Sequence, residues 1–184
     1  KQKAMGEAIT ERDSLPVMTT LGVTTLISDS GVTRYRVNTE EWMMYDRKKP
    51  SYWAFEKGVY MEQFDSIFNV EASIKADTAY YYDKERLWKL IGNVDIQNRK
   101  GERFNTELLY WNEATQKVYS DKFIRIQQPD RIITGHGFDS NQQMTIYTIR
   151  NIEGIFYVDE EASSGPPQPE TKALPDSVNK DSAK

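Results

Sequence analysis

Leu87-Trp88-Lys89-Leu90-Ile91-Gly92-Asn93-Val94-Asp95-Ile96-Gln97 is the stretch on which the fold turns. Trp88, Leu90, Val94 and Ile96 share one parity, so an extended backbone places them on a single face. Gly92 interrupts the run, and a missing side chain inside a strand marks a bulge or a close approach of backbone or ligand. The residues that follow, Asn98-Arg99-Lys100-Gly101, put Asn first and Gly last, which suits a type I turn closing a hairpin. A bent strand followed by a hairpin is therefore the local unit.

That unit recurs. Trp53-x-Phe55-x-x-x-Val59-x-Met61 returns 35 residues later as Trp88-x-Leu90-x-x-x-Val94-x-Ile96, and after a further 30 as Val118-x-Ser120-x-x-x-Ile124-x-Ile126. A single matching pair would be an accident of any β-meander; three copies that keep both spacing and parity indicate a degenerate hairpin repeat. Working outward, strand signals rich in Val, Ile, Thr, Tyr and Phe fall at 59–63, 103–111, 118–127, 131–138 and 144–149, with a final short strand at 155–158. Turn residues separate them, among them Asp29-Ser30-Gly31, Gln128-Pro129-Asp130 and Asn151-Ile152-Glu153-Gly154. No long amphipathic helix intervenes, so the predicted fold is all-β and antiparallel, without βαβ crossovers.

The ends differ in character. Residues 1–20 are polar and mixed in charge and read as a tether from which an anchor has been removed. From residue 159 the chain is rich in Pro, Ser and charge, and such a composition cannot offset the entropy of ordering. One domain over residues 21–158, a tether and a disordered tail are expected. No apolar run reaches the roughly 20 residues that span a bilayer as a helix.

Composition narrows the function. A formal charge of −4 and the lack of a basic tract argue against nucleic acid. The absence of Cys excludes disulfides and thiolate chemistry. His136, the lone histidine, sits among glycines in Thr134-Gly135-His136-Gly137-Phe138 and reads as a turn or surface residue. Nucleophile-elbow, zincin, Walker and dinucleotide motifs are all missing, and paired carboxylates such as Glu40 with Glu41 and Glu160 with Glu161 read as solvated charge. An enzyme falls behind a binding role, and no cofactor or metal is implied. The apolar stripe reads either as an ordinary core or, if two sheets diverge, as a trough. A rival reading is a carbohydrate-binding sandwich that stacks sugars on exposed Trp42, Tyr80, Tyr82 and Trp111.

The phrases Trp88-x-Leu90-x-Gly92-Asn93-Val94, then Gly101 with Thr106-Glu107-x-Leu109-Tyr110 beyond it, then Gly135-x-Gly137-Phe138, in this order and spacing, resemble the LptC family of lipopolysaccharide export. The soluble bridge protein LptA shares the repeat; the Asp29-Ser30-Gly31-x-x-Arg34-Tyr35 opening and the Pro/Ser tail fit the membrane-tethered member better. The resemblance implies a twisted, half-open β-jelly-roll in the periplasm, held at the inner membrane by a segment outside this chain. It implies lipopolysaccharide as ligand, received from the inner-membrane ABC transporter complex and passed to an LptA-like bridge. On that pattern Phe55, Val59, Met61, Leu90, Val94, Ile96, Ile124 and Ile126 line a lipid groove, and Gly92, Gly135 and Gly137 shape the bend. The partner edges are then the strand of Val32, Tyr35 and Val37, facing the transporter, and that of Met144, Ile146 and Thr148, facing the bridge.

Overall fold

The computed structural model describes residues 14–158 apart from Ser30. Its elements are β-strands: β1 Met18–Asp29, β2 Val32–Tyr45, β3 Tyr52–Phe55, β4 Val59–Phe64, β5 Val70–Ala76, β6 Thr78–Tyr82, β7 Leu87–Asn98, β8 Arg103–Asn112, β9 Lys117–Gln127, β10 Arg131–Asn141 and β11 Tyr147–Tyr157. All pairings are antiparallel within a single sheet. Among the described residues no helix is long and apolar enough to cross a membrane.

The sheet folds into two layers because its long strands bend in the middle. The first half of β2 pairs with β4 and its second half with β3. β7 repeats the arrangement in reverse, pairing with β6 before its bend and β5 after it. Ladders β7–β8, β8–β9, β9–β10 and β10–β11 each shift register at the corresponding point. This is a jelly-roll-like wrap in which one corner joins the layers and, among the described residues, the sheet does not close, since β1 pairs there only with β2 and β11 only with β10.

The repeat appears in the register. Trp53, Tyr81, Trp88, Trp111, Val118 and Ser140 are successive cross-strand partners in one layer. Met61, Ile74, Ile96, Phe104, Ile126 and Ile133 form the equivalent row in the other. All three sequence copies thus contribute a residue to each row. The first copy is split between β3 and β4 where β7 runs on through its bend.

Bending a strand frees backbone groups that a flat ladder would pair, and here short hydroxyls take them up. Thr39 donates to the Gly58 carbonyl (2.8 Å), Thr106 to that of Phe123 (2.7 Å) and Ser120 to that of Leu108 (2.6 Å). Ser120, which breaks the apolar stripe in the third copy, is fully buried for this reason. A buried carbonyl left unpaired costs about 1–3 kcal/mol, so a polar residue is stabilising at such a point and an apolar one is not. Asp77 completes the corner, accepting from Gly58 N (2.9 Å) and donating to Gly92 O (3.0 Å) through its main chain.

Three strand expectations change. β1 begins at Met18, within the segment read as tether, because its Thr, Val, Leu and Ile residues pair along β2 from Met18↔Met44 to Asp29↔Val32. The strand expected at 144–149 starts at Tyr147 and absorbs the one expected at 155–158. Asn151 and Gly154, taken for turn residues, sit beside a bulge within that strand. The tail from residue 159, Glu160 and Glu161 included, lies outside the described residues.

Candidate functional site

The eight side chains expected to line a groove do converge. Phe55, Val59 and Met61 come from β3 and β4, Leu90, Val94 and Ile96 from β7, Ile124 and Ile126 from β9, and all belong to one apolar cluster between the layers. They are not open to solvent. Exposure runs from 0% for Leu90, Val94, Ile96, Ile124 and Ile126 to 3% for Val59 and Met61, so in this state the expected half-open trough is a closed interior.

Closure comes from side chains meeting across the seam opposite the corner. Tyr35 of one layer packs edge-on against Trp111 of the other at 5.0 Å. Phe104 meets Phe138 at 5.7 Å and Tyr147 at 5.1 Å. What remains of an opening on the β2 side is a notch of about 10 Å³ lined by Tyr35, Met61, Ala72, Ile74, Trp111 and Gln142, room for a single water at most. The Trp111 indole N–H is buried there without a partner.

At the other end of the seam the hairpin tip joining β7 to β8 faces the turn joining β10 to β11. Asn98, 6% exposed, accepts from Lys100 N and Glu102 N (both 3.0 Å) and donates to Glu102 (2.7 Å) and to the Met144 carbonyl (2.8 Å). Tyr147 donates to Glu102 (3.2 Å) and accepts from Gln128 (2.6 Å). Burial is the main influence lifting the Tyr147 hydroxyl above its ordinary range, which keeps it a donor.

A second polar knot fixes the aromatic row. Glu113 accepts from Trp88 Nε1 (2.9 Å) and Tyr81 OH (3.2 Å), and burial followed by the charge on Glu113 pushes the Tyr81 phenol up to about 12. Trp88 is thereby held between Phe55 and Trp111, at 5.5 and 6.2 Å.

The three glycines expected to shape the bend lie at the corner, where ladders β7–β8, β9–β10 and β10–β11 shift register. Gly92 and Gly137 have φ of +78° and +79°, where a side chain would be strained. Gly135 has no such φ and is required by proximity instead: a Cβ there would lie 2.3 Å from the Asn151 carbonyl oxygen.

The edge assignments need correction. Val32, Tyr35 and Val37 lie on β2, which β1 covers along its length, and Val37 is buried; the free N-terminal edge is β1. Met144 belongs to the core, in a turn with φ of +56°. Ile146 is exposed just before β11, and Thr148 lies on β11, whose outer side is unpaired among the described residues. β11 also exposes Ile152, Ile155, Phe156 and Tyr157.

The residues proposed for sugar stacking form no open platform. Trp111 is buried, and Trp42 is half-buried in a stack with Trp53 and Phe55 at 5.0 and 6.0 Å. Tyr80 is tied to Glu56 (2.9 Å) and Tyr82 leans on Tyr52 (6.0 Å). His136 is exposed and paired with Glu153, while Glu41 is paired with Lys57 (2.7 Å). Among the described residues no group of His, Asp or Glu is arranged to hold a metal ion. A wider cleft of about 810 Å³ lies on the outer face, where Lys75, Asp95, Asn105 and Arg125 are cross-strand partners. Its mixed charge suits water rather than hydrocarbon.

The sequence places Met144 on an expected partner edge and Asn98 at the head of a turn; the part both play at the seam, and that of the Thr39, Thr106 and Ser120 hydroxyls at the corner, come from the structure. A lone Met in the polar run Asn141-Gln142-Gln143-Met144-Thr145 was the available signal. No curated protein matches the chain. The model of the family described as "Lipopolysaccharide-assembly, LptC-related" matches residues 16–155, which spans every strand but the last two residues of β11 and takes in both the corner and the seam. The chain therefore belongs to the LptC-related family of lipopolysaccharide assembly, and its role lies in lipopolysaccharide transport.

Proposed function

We propose that this protein carries lipopolysaccharide by taking its acyl chains between the two layers, and that it is the member of the export machinery tethered at the inner membrane. It receives the lipid from the ABC transporter complex and passes it to an LptA-like bridge. The observation that supports this reading is a continuous apolar interior in a sheet that bends without closing. Layers joined by strands at the corner meet opposite it through side chains, so they can part there without breaking a ladder. Each buried CH₂ is worth about 0.8 kcal/mol, so a chain of about twelve carbons contributes about 10 kcal/mol, which offsets the cost of separating the layers. Handover between two such interiors then needs no catalytic group.

The two free edges support the placement between partners. An unpaired strand adds a neighbour's strand through main-chain hydrogen bonds, and among the described residues β1 and β11 both leave one side unpaired. The test of the carrier reading is photo-crosslinking to lipopolysaccharide from probes at Val94 or Ile124, with exposed Lys100 as reference. Labelling in the interior should exceed that at position 100 at least tenfold; equal labelling would refute it.

A further inference from the structure

The turn between β10 and β11 shares its backbone with other hairpin connections, in which the fourth residue is left-handed as at Phe68 and Gly101, but it differs in where that residue's side chain goes. Instead of standing out into water, it sends Met144 into the core, where the side chain is 0% exposed. Asn141 shapes the turn: its side-chain carbonyl accepts from Thr145 N (2.9 Å) and Ile146 N (3.1 Å), its amide donates to the Thr145 hydroxyl (2.9 Å), and Met144 N donates to Asn141 O (3.0 Å). Met144 adopts φ of +56°, and whereas Phe68, Arg86 and Gln116 take up the same left-handed region with exposed side chains, that of Met144 is buried. Across the seam the Met144 carbonyl is held by Asn98, and the Thr145 carbonyl accepts from Lys100 Nζ (3.3 Å).

Resting on the carrier reading above, we infer that residues 141–146 form a strap across the mouth of the seam and that Met144 occupies a subsite for a linear acyl chain, which the lipid takes by displacing it. The chemistry fits. Methionine is unbranched, flexible and apolar, the nearest a side chain comes to a short n-alkyl group, and it is held in the same cluster as the expected lipid-lining residues. The anchors across the seam are few and local: one amide on Asn98, the Lys100 ammonium on the Thr145 carbonyl, and the Gln128–Tyr147–Glu102 triad that fixes the first residue of β11 to the opposite layer. Releasing them frees the strap without disturbing a strand ladder. Because the strap runs directly into β11, a partner strand docking on that edge acts on the same element that blocks the seam.

The test uses the full chain, which contains no Cys, with one reporter at a time. Ile126→Cys lies in the row with Phe104, next to the mouth, and Val59→Cys lies near the corner. Asn98→Ala should speed maleimide modification of Ile126→Cys at least tenfold and leave Val59→Cys within twofold. Tyr147→Phe, which removes only a hydroxyl, should act in the same direction by about threefold if Asn98→Ala fails to fold. Dodecanoate should then protect Ile126→Cys in the released chain. Equal acceleration at both sites, no acceleration, or no protection by dodecanoate overturns the strap. Should lipopolysaccharide still crosslink at Val94 or Ile124 in those cases, the carrier reading stands without it; absence of crosslinking refutes both.

Discussion

Replacing Gly135 by Ala measures how closely β10 and β11 approach at the corner. The new Cβ would meet the Asn151 carbonyl oxygen at 2.3 Å and Ile149 Cγ2 at 2.7 Å, against about 3.4 Å for ordinary contact, so β11 must retreat by roughly 1 Å. Backbone is the obstacle, which no rotamer change relieves. Overpacking of this kind costs about 1–3 kcal/mol, and stretching one or two ladder bonds adds about 1 kcal/mol each, offset slightly by the lower entropy of the unfolded alanine chain. The net loss is about 2–4 kcal/mol. Gly101→Ala is the control: its φ is +77° but nothing lies within 4 Å, so only the left-handed penalty of about 1–2 kcal/mol applies. Urea unfolding followed by tryptophan fluorescence should place the Gly135→Ala midpoint about 1–2 M below wild type, taking a slope of about 2 kcal/mol/M, with Gly101→Ala in between. Hydrogen exchange should rise first in β11. A Gly135→Ala protein no less stable than Gly101→Ala would refute the close approach.

Thr106→Val keeps shape but strands the Phe123 carbonyl, and chemical denaturation should show a loss of about 1–3 kcal/mol, whereas Thr→Val at exposed Thr148 should change little. The Asp65 carboxylate accepts from Asn69 N and Ile67 N and is held below its ordinary range, chiefly by the Asn69 bond. A depressed folded value means its contribution is present above the unfolded value near 3.8 and fades as pH falls through the folded one; an NMR titration of Asp65 shows this directly, and Asp65→Asn should flatten it. Tyr80 and Tyr81, both raised to about 12 mainly by burial, should ionise last in an ultraviolet titration, and the stability they contribute below pH 10 should be lost between 10 and 12. Lysines in place of Ile152 and Phe156 on β11 should leave the unfolding midpoint unchanged and weaken binding of an LptA-like bridge at least tenfold by titration calorimetry.

Strands were legible where parity was kept. In β4 and β7 to β10 the inward side chains alternate with outward ones, and spacing alone located these strands to within a few residues. β1 was missed because its large apolar residues Leu21 and Leu26 remain exposed, so the alternation that reports a buried face is weak there. The shared inward face of Phe55, Leu90 and Ile126 was legible, since it follows from the repeat. Their accessibility was not, because whether two layers touch depends on rings far apart in the chain, such as Tyr35 and Trp111. Met144 was misplaced for a similar reason: a left-handed turn reverses which way a residue points, and strand parity does not extend through it.

The free margins of the sheet are unlike one another. β1, at one end, pairs along β2 and exposes Leu21 and Leu26; β11, at the other, leans on β10 and exposes Ile152, Phe156 and Tyr157. A contact between two unlike margins is heterologous, and repeated contacts of that kind generate an open row with a head and a tail rather than a closed pair. Any array assembled through these margins is a vector: each subunit faces the same way, and the direction of travel along it is written into which end of the molecule comes first.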